Sequence, residues 1–181
     1  LLMPLMDFKP VVERTKTTSP LPAQQHVIIG GFGRVGKTIA RLLEGNTIDY
    51  IAIEKDISVV NLEQPQNQNL IYGDCTKLEL LKSCHIADAR LAILTFRSID
   101  IAKHTIEQIR ASGIEIPIIV RCCEHGDFAE LISLGADYVI PEMLEASLSI
   151  GIQVLTLLGF TESDIERQIE LERSEQLSHL H

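Results

Sequence analysis

The sequence predicts an α/β domain built on a six-stranded parallel sheet, and three observations support this prediction. Short apolar runs alternate with helical patterns from His26 onward, as in parallel strands joined by right-handed crossovers. A glycine-rich turn follows the first apolar run directly. The length of 181 residues fits one domain with a sizeable core and leaves no room for a second catalytic domain. The expected fold is a Rossmann-like, doubly wound sheet.

The predicted strands are short apolar runs that end at turn or helix signals. We place them near residues 27–30, 49–54, 68–72, 90–95, 116–121 and 137–140. Gly113 and Gly135 stand where helices should end, while Asp56 and Thr76 are predicted helix N-caps. Because ligands of such sheets bind outside the carboxyl ends of the strands, residues that follow each strand are the candidates for a site.

The turn after the first strand is the strongest local signal for a ligand. Its glycines fit G-x-G-x-x-G, which permits a tight turn, close approach of a phosphate and packing of helix on strand. The helix that follows offers unpaired N–H groups and its positive dipole end to an anion. An arginine at the helix start can add a charge-assisted bond. The predicted phosphate cradle consists of Gly31, Phe32, Gly33, Arg34, Val35 and Gly36.

Glu54 ends the second predicted strand, about twenty residues beyond the glycines. An acid there accepts hydrogen bonds from ribose hydroxyls and disfavours a 2′-phosphate, so AMP, NAD(H), ADP or ATP are expected rather than NADP. Lys55 beside it weakens that exclusion slightly. A P-loop pattern also matches Gly31 to Thr38 literally, but we favour the dinucleotide-type interpretation because no convincing Walker-B aspartate ends a strand.

The ends of the fourth and fifth strands carry further candidates. Thr95 and Phe96 follow the fourth strand, where Phe96 with Arg97 either stacks on a base, binds an anion or packs at the surface. Arg121 ends the fifth strand as either a clamp for phosphate or carboxylate or a solvated strand end.

Several of these segments together resemble the TrkA-N, or RCK, regulatory domains, and within them the cytoplasmic domains of Kef-type potassium/proton antiporters. The resemblance covers His26 to Gly159, and it rests on segments 31–36, 72–76, 80–81 and 119–121 and on Glu54. It implies that Asp74 and Cys75 contribute to an adenosine pocket, with a helix N-terminal acid as the alternative for Asp74. It also implies bound AMP or NAD(H), with ADP or ATP as alternatives, and a glutathione-like anionic ligand near Arg121.

The C-terminal residues are predicted to form two helices. Residues 143–158 form an amphipathic pattern, with apolar positions at Leu144, Leu148, Ile152, Leu155 and Leu158. That face either closes the sheet of its own domain or packs against a second copy, and the resemblance implies a homodimer. The charged segment 161–177 is a predicted solvated helix with a capping-like start at Thr161 to Asp164.

The first residues carry no helix or strand pattern. Residues 1–6 are apolar but too short for a signal peptide or a membrane span, and the following segment to Gln25 has three prolines and no periodicity. This is typical of a linker, although a disordered tail fits as well. We therefore expect an apolar edge and linker from an upstream membrane domain at 1–25, a nucleotide-binding domain at 26–140, and a dimerisation helix with a charged helix at 141–181.

Composition excludes several functions. The net charge of −9 argues against nucleic-acid binding, and four cysteines without a C-x-x-C motif indicate a reducing cytosol. Metal-ligand spacing, a nucleophile elbow and a paired-carboxylate motif are absent from the sequence, so we expect neither a metal nor catalysis. The expected function is an adenine-nucleotide-binding regulator of a K⁺/H⁺ antiporter at the cytoplasmic face of the bacterial inner membrane. The alternatives are a small NAD-dependent oxidoreductase and the soluble Trk-type subunit of a potassium uptake system.

Overall fold

Helices cover both sides of a parallel six-stranded sheet in the computed structural model, which describes residues 21–22, 24–123 and 127–178. The strands are β1 (Val27–Gly30), β2 (Tyr50–Glu54), β3 (Leu70–Tyr72), β4 (Leu91–Leu94), β5 (Ile118–Cys122) and β6 (Tyr138–Pro141). The helices are α1 (Arg34–Gly45), α2 (Ile57–Glu63), α3 (Leu78–Ser83), α4 (Ile99–Ala111), α5 (Phe128–Ser133), α6 (Glu142–Leu157) and α7 (Glu162–Ser178). A 3₁₀ turn, Ile86–Asp88, precedes β4.

The strand order is β3-β2-β1-β4-β5-β6, and every neighbouring pair is parallel. The chain winds outward from β1 through β3, then crosses to β4 and winds outward the other way. This reversal leaves a crevice beyond the carboxyl ends of β1 and β4, which is where ligands of such sheets bind. The six strand predictions and the doubly wound fold class are confirmed, with ends that shift by at most about two residues, as expected for element boundaries.

Both faces of the sheet are buried, which explains why its strands read as continuous apolar runs. In β1, Ile28 belongs to one core cluster, together with residues of α3, α4 and α5, and its neighbours Val27 and Ile29 belong to a second cluster under α1. Successive side chains of a strand point to opposite faces, so one short strand contributes to both clusters. Burial of this kind stabilises by about 1.5–3 kcal/mol per large aliphatic side chain.

The helix ends agree with the sequence at three of four predicted positions. Gly113 and Gly135 adopt φ of 78° and 106° after α4 and α5, a conformation that favours glycine. The Asp56 carboxylate accepts from the Ser58 N–H at 2.8 Å and caps α2. The prediction for Thr76 is wrong. Its N–H and hydroxyl both donate to Asp74 Oδ1, at 2.9 and 2.8 Å, and this turn delays the start of α3 until after Lys77.

The apolar face of α6 packs on α7 and not on the sheet, while packing of α6 against a second copy stays a prediction. Leu144 and Leu148 are buried against Ile165 and Ile169 of α7, with Ile152 and Leu155 partly buried beside them. The sequence predicts α7 as a solvated helix, but one side of α7 is apolar and buried. The many charged residues of this segment made that apolar side hard to recognise from the sequence. Leu158, expected on the same face, caps the end of α6 and is exposed. The predicted start of α7 is confirmed, since Thr161 Oγ1 and the Asp164 carboxylate bond at 2.7 Å.

The predicted apolar edge and most of the predicted linker lie in residues 1–20, outside the part of the chain that the structure describes. At the last residue of the predicted linker, the Gln25 N–H donates to the Asp88 carbonyl at 2.9 Å. This bond fixes the position of the chain just before β1. Within the described ranges, no helix combines the length and apolar character that crossing a membrane requires.

Candidate functional site: a cleft at the switch point of the sheet

An open cleft of about 860 Å³ lies at the point where the strand order reverses. It lies where parallel α/β sheets bind their ligands. The structure brings most of the sequence-predicted residues together in its wall: Gly31, Gly33, Arg34, Val35, Glu54, Lys55, Asp74, Cys75, Thr95, Phe96 and Arg121. The two predicted residues that do not line it are Phe32 and Gly36. The strand-end rule therefore located the cleft from sequence.

The glycine turn has the shape of a phosphate cradle. Gly31 has a φ of 91°, which a side chain would strain. Gly33 is the residue before α1, and a Cβ built there would have no atom within 4 Å, so the backbone at Gly33 faces open space. No side chain caps the first turn of α1, which leaves its N–H groups available at the rim of the cleft.

Phe32 and Gly36 stabilise the shape of the glycine turn through contacts inside the fold. The Phe32 side chain is 3% exposed and packs in the core cluster under α1, while its N–H donates to the Glu54 carboxylate. A Cβ at Gly36 would stand 2.2 Å from the Gly31 carbonyl oxygen, so glycine is required for α1 to approach the turn. Gly36 thus has the packing role that the sequence predicts for the third glycine, and the part of Phe32 and Gly36 in binding a ligand stays a prediction.

Glu54 is fixed against the glycine turn by backbone donors. Its Oε2 accepts from the Phe32 N–H at 2.7 Å, and its Oε1 accepts from the Asp56 N–H at 2.8 Å. A carboxylate has about four lone-pair positions, so two acceptor positions remain for hydroxyl groups of a ligand. Lys55 is exposed at the edge of the same cleft. The geometry fits the ribose-binding role that the sequence predicts for Glu54.

Lys37 separates the two interpretations of the glycine turn. In a P-loop the corresponding lysine reaches the phosphates. Here Lys37 Nζ lies 2.6 Å from Glu63 Oε1 at the end of α2, away from the turn. The literal P-loop match therefore lacks its central cation, and the dinucleotide-type interpretation is favoured.

Asp74 and Cys75 form the wall beyond β3. The two bonds from Thr76, the N–H first, hold the pKa of the Asp74 carboxyl below its usual range, so the group is ionised near neutral pH. Burial raises the pKa of the Cys75 thiol, which is 3% exposed and therefore a neutral apolar surface. At the predicted adenosine pocket, Asp74 thus offers a negative charge and Cys75 offers a neutral surface for van der Waals contact.

The residues after β4 pack onto the glycine turn. The buried Thr95 Oγ1 lies 3.1 Å from the Gly30 carbonyl oxygen and 3.0 Å from that of Gly31, so its proton is shared between them. A Cβ at Gly30 would meet the Phe96 ring at 2.7 Å, and one at Gly31 would meet it at 3.3 Å. Phe96 therefore lies across the turn, partly exposed to the cleft. Phe96 is thus packed on the turn as well as facing the cleft, and its contact with a base or an anion stays a prediction.

Arg121 is not a solvated strand end, because its guanidinium is bonded within the cleft wall. Its Nε donates to Glu142 Oε2 at 2.7 Å, its Nη2 bonds the same oxygen, and its Nη1 lies 3.4 Å from the Thr95 carbonyl. The bonds from Arg121 hold the pKa of Glu142 below its usual range, with the charge of Arg34 as a smaller contribution. Arg34 and Arg121 thus both interact electrostatically with the Glu142 carboxylate at this end of the cleft.

Glu142 is a charged residue of the cleft wall that was not predicted from the sequence. It lines the cleft as the first residue of α6, directly after β6. Arg121 was selected because it ends a strand, and Glu142 directly follows the end of β6. Glu142 was not selected because the sequence analysis assigned it to a separate C-terminal unit. The cleft wall also contains Arg97, which the sequence offered together with Phe96 as a candidate. Nine further residues line the cleft without having been predicted as site residues: Thr38, Ile39, Ile53, Asp56, Val59, Gly73, Ser98, Ile101 and Glu142. Across the described ranges, no cluster of three or more His, Cys, Asp or Glu side chains could hold a metal ion.

A doubly wound parallel sheet with an open, glycine-lined cleft at its switch point defines a Rossmann-like domain. Within that class, the chain belongs to the TrkA-N domain family, whose profile matches residues 27–142. The matched segment runs from the start of β1 to the first residue of α6, and so includes the whole sheet and the cleft. The resemblance predicted from the sequence is confirmed.

The proteins similar to this chain include one that is named for ion transport. The chain is 31% identical over 150 residues to a protein of Alkalimonas amylolytica named as a K(+) efflux antiporter, KefB; the match covers 83% of this chain but only 23% of that relative. Among solved structures, the AMP-bound form of the Shewanella denitrificans Kef CTD superposes with a TM-score of 0.73 and 26% identity, covering 87% of this chain and 96% of that one. The ADP-bound GsuK structure has a TM-score of 0.62 and 26% identity, covering 73% of this chain and 35% of that one.

Proposed function

We propose that this chain is the nucleotide-binding regulatory domain of a Kef-type K⁺ efflux antiporter, and that an adenine nucleotide occupies the cleft at the switch point. The single observation that carries the proposal is the open phosphate cradle at Gly31–Gly36 beside a carboxylate, Glu54, that backbone donors hold in place. The AMP in the Shewanella relative and the ADP in GsuK support the class of ligand.

The expected pose follows the order of the strands. The phosphate lies over Gly33 and the first N–H groups of α1, with Arg34 beside it. The ribose hydroxyls bond Glu54, and the adenine lies toward Asp74 and Cys75 beyond β3. AMP and NAD(H) share this adenosine half, and ADP or ATP extends it by further phosphates.

The regulatory part of the proposal concerns α6. An exposed apolar stripe runs along this helix through Met143, Ile150, Val154 and Leu157, on residues spaced by three, four or seven. A stripe of this kind fits a second copy of the chain, so we propose a homodimer through α6. Glu142 at the start of α6 is bonded to Arg121 in the cleft. Ligand binding that changes this contact would shift the arrangement of the two copies, which is how occupancy would reach a membrane domain.

The remaining assignments follow from the same model of regulation. A membrane transporter domain in the same full-length chain, upstream of residues 1–25, would place this unit at the cytoplasmic face of the bacterial inner membrane. A second, glutathione-like anion would bind near Arg121 by displacing the Glu142 carboxylate from its guanidinium. We propose no enzymatic activity, because the two acids in the best-defined positions, Glu54 and Glu142, are engaged by backbone N–H groups and by Arg121, and neither is poised as an acid/base partner.

Calorimetric titration of the chain with AMP tests the core of the proposal. Replacing Glu54 by Gln keeps one acceptor and the size of the side chain but removes the charge, so AMP affinity should fall by about 1–3 kcal/mol. Glu63→Gln is the matched control, because its partner Lys37 lies away from the cleft, and it should bind AMP normally. Absence of AMP binding to the unaltered chain, or unchanged affinity in Glu54→Gln, would overturn the assignment. Steady oxidation of NADH with a small substrate would favour the oxidoreductase alternative.

A further inference from the structure

We infer that Phe96 makes the site selective for an adenine mononucleotide over a dinucleotide, an inference that rests on the proposed function and names its ligand more closely. Phe96 follows β4 after Thr95 and lies against the glycine turn on the β4 side. The nearest ring atom, Cζ, would be 2.7 Å from a Cβ at Gly30, and Cδ1 would be 3.3 Å from one at Gly31. The ring therefore spans both positions at the end of β1.

The Phe96 ring lies where a dinucleotide would have to cross from one side of the cleft to the other. In dinucleotide complexes of this fold, one nucleoside lies on the side of the first strands and the pyrophosphate crosses at the switch point. Glu54 and Asp74 place the adenosine half over β2 and β3. The second nucleoside would then have to lie over β4 and β5, and the path to it runs past Gly30 and Gly31, where Phe96 stands. A single phosphate at Gly33 and Arg34 does not need that path.

The ring is held where it is by its surroundings. Phe96 packs against the main buried core cluster, and the hydroxyl of the preceding Thr95 is bonded to the Gly30 and Gly31 carbonyls. Arg121 also contacts the Thr95 carbonyl at 3.4 Å. Swinging the ring aside would therefore disturb a packed contact next to an anchored backbone, and binding of the larger ligand would bear that cost.

The region beyond the ring offers little compensation. A second phosphate or ribose on the β4 and β5 side would meet Arg121, but this guanidinium is already bonded to Glu142 through Nε and Nη2. The Glu142 carboxylate, whose side chain is 44% exposed, neutralises this guanidinium, and a second phosphate would have to displace it. Steric closure by Phe96 and the occupied state of Arg121 thus act in the same direction against a dinucleotide.

Calorimetric titrations with AMP and with NAD⁺ test this inference on the chain, on Phe96→Ala and on Phe96→Leu. The unaltered chain should bind AMP about tenfold or more tightly than NAD⁺. In Phe96→Ala the ratio of NAD⁺ affinity to AMP affinity should rise by about fivefold or more. Phe96→Leu keeps apolar bulk for folding and should fall between the two. Phe160→Ala, an exposed aromatic between α6 and α7, is the control that should change neither affinity.

Three results would overturn the role of Phe96. These are equal or tighter binding of NAD⁺ by the unaltered chain, an unchanged affinity ratio in both Phe96 variants, or a parallel loss of AMP and NAD⁺ affinity, which would make the ring a stacking platform. AMP and NAD⁺ binding of equal strength would leave the proposed function intact and remove only this selectivity. A chain that binds neither nucleotide would overturn the proposed function itself.

Discussion

Arg121 at the end of β5 and Glu142 at the start of α6 form an ion pair in the wall of the cleft. The Arg121 side chain is 16% exposed, so its charge interacts with nearby charges more strongly than it would in bulk water. The pair links the end of the sheet that meets the ligand to the helix that carries the exposed apolar stripe. An anion that enters the cleft would compete with the Glu142 carboxylate for this guanidinium and for Arg34.

Replacing Glu142 by Gln should therefore strengthen AMP binding. The substitution removes one negative charge from the cleft but leaves an acceptor for Arg121, so AMP affinity should rise by about two- to fivefold, as expected for a partly exposed charge. The gain should shrink at high salt because the field is screened. Calorimetry at low and high ionic strength measures both effects.

Glu145→Gln is the matched control for Glu142→Gln. Glu145 lies on the same helix and bonds Arg173 of α7 at 2.9 and 3.0 Å. Its loss should leave AMP affinity unchanged at either salt concentration. Equal affinity of Glu142→Gln and the unaltered chain would show that the Arg121–Glu142 pair does not oppose the ligand.

Two glycines of the turn should separate folding from binding. A Cβ at Gly33 meets no atom within 4 Å, and its φ of −75° suits any residue, so Gly33→Ala should cost about 1 kcal/mol or less of folding stability. The new methyl group would stand where a phosphate approaches the backbone, so AMP affinity should fall roughly tenfold or more.

Gly36→Ala should show the opposite balance. Its Cβ would lie 2.2 Å from the Gly31 carbonyl oxygen, which is backbone and cannot move aside, so the free energy of unfolding should fall by at least about 2 kcal/mol. Urea unfolding measures stability for both variants, and calorimetry with AMP measures binding by Gly33→Ala. A stable Gly33→Ala protein that binds AMP normally would remove the phosphate from this turn.

The sheet could be predicted because its signals are local. Each strand is a continuous apolar run, and Gly113 and Gly135 end helices through a conformation that the sequence shows directly. Glu54 could also be placed, because one strand and one turn fix it. These features need no knowledge of which distant segments meet.

The features that could not be predicted depend on competing local bonds or on contacts between distant residues. At Thr76 the competition is local: Asp74, two residues earlier in the chain, accepts from both the N–H and the hydroxyl of Thr76, so Thr76 does not cap α3. The apolar face of α6 could be recognised, but its partner, Ile165 and Ile169 of α7, was masked by the charges around them. Glu142 belongs to the cleft only because β6 lies next to β5 in the sheet.

The exposed stripe of α6 should control the oligomeric state. Val154 lies in the middle of this stripe and is 49% exposed, so Val154→Asp should disrupt a dimer without disturbing the contact between α6 and α7. Light scattering after size exclusion should then give a monomer that still binds AMP. Leu171→Asp, at an exposed apolar position on α7, is the control and should stay dimeric. A monomeric unaltered chain, or a dimeric Val154→Asp variant, would refute dimerisation through α6.

His26 should make folding stability sensitive to mild acid. It is fully buried before β1, where its Nε2 lies 2.9 Å from the Cys84 carbonyl oxygen and therefore donates to it. Its Nδ1 is buried without a hydrogen-bond partner among the residues that the structure describes. Burial, with a smaller contribution from His85, lowers the pKa of His26 below its ordinary value of 6.5. Protonation would place a charged donor at Nδ1 with no acceptor for it.

The sign of the pH dependence follows from this lowered pKa. The unfolded chain takes up the proton near pH 6.5, before the folded chain does, so the free energy of unfolding should decrease as the pH falls below 6.5, by up to about 1.4 kcal/mol per pH unit. His26→Gln keeps a donor for the Cys84 carbonyl but does not titrate, so its stability should depend less on pH. Urea unfolding between pH 7.5 and 5.5 compares the slopes while the carboxylates stay ionised. His104→Gln, at an exposed position on α4, should retain the slope of the unaltered chain, and a His26→Gln slope equal to it would show that His26 does not titrate with folding.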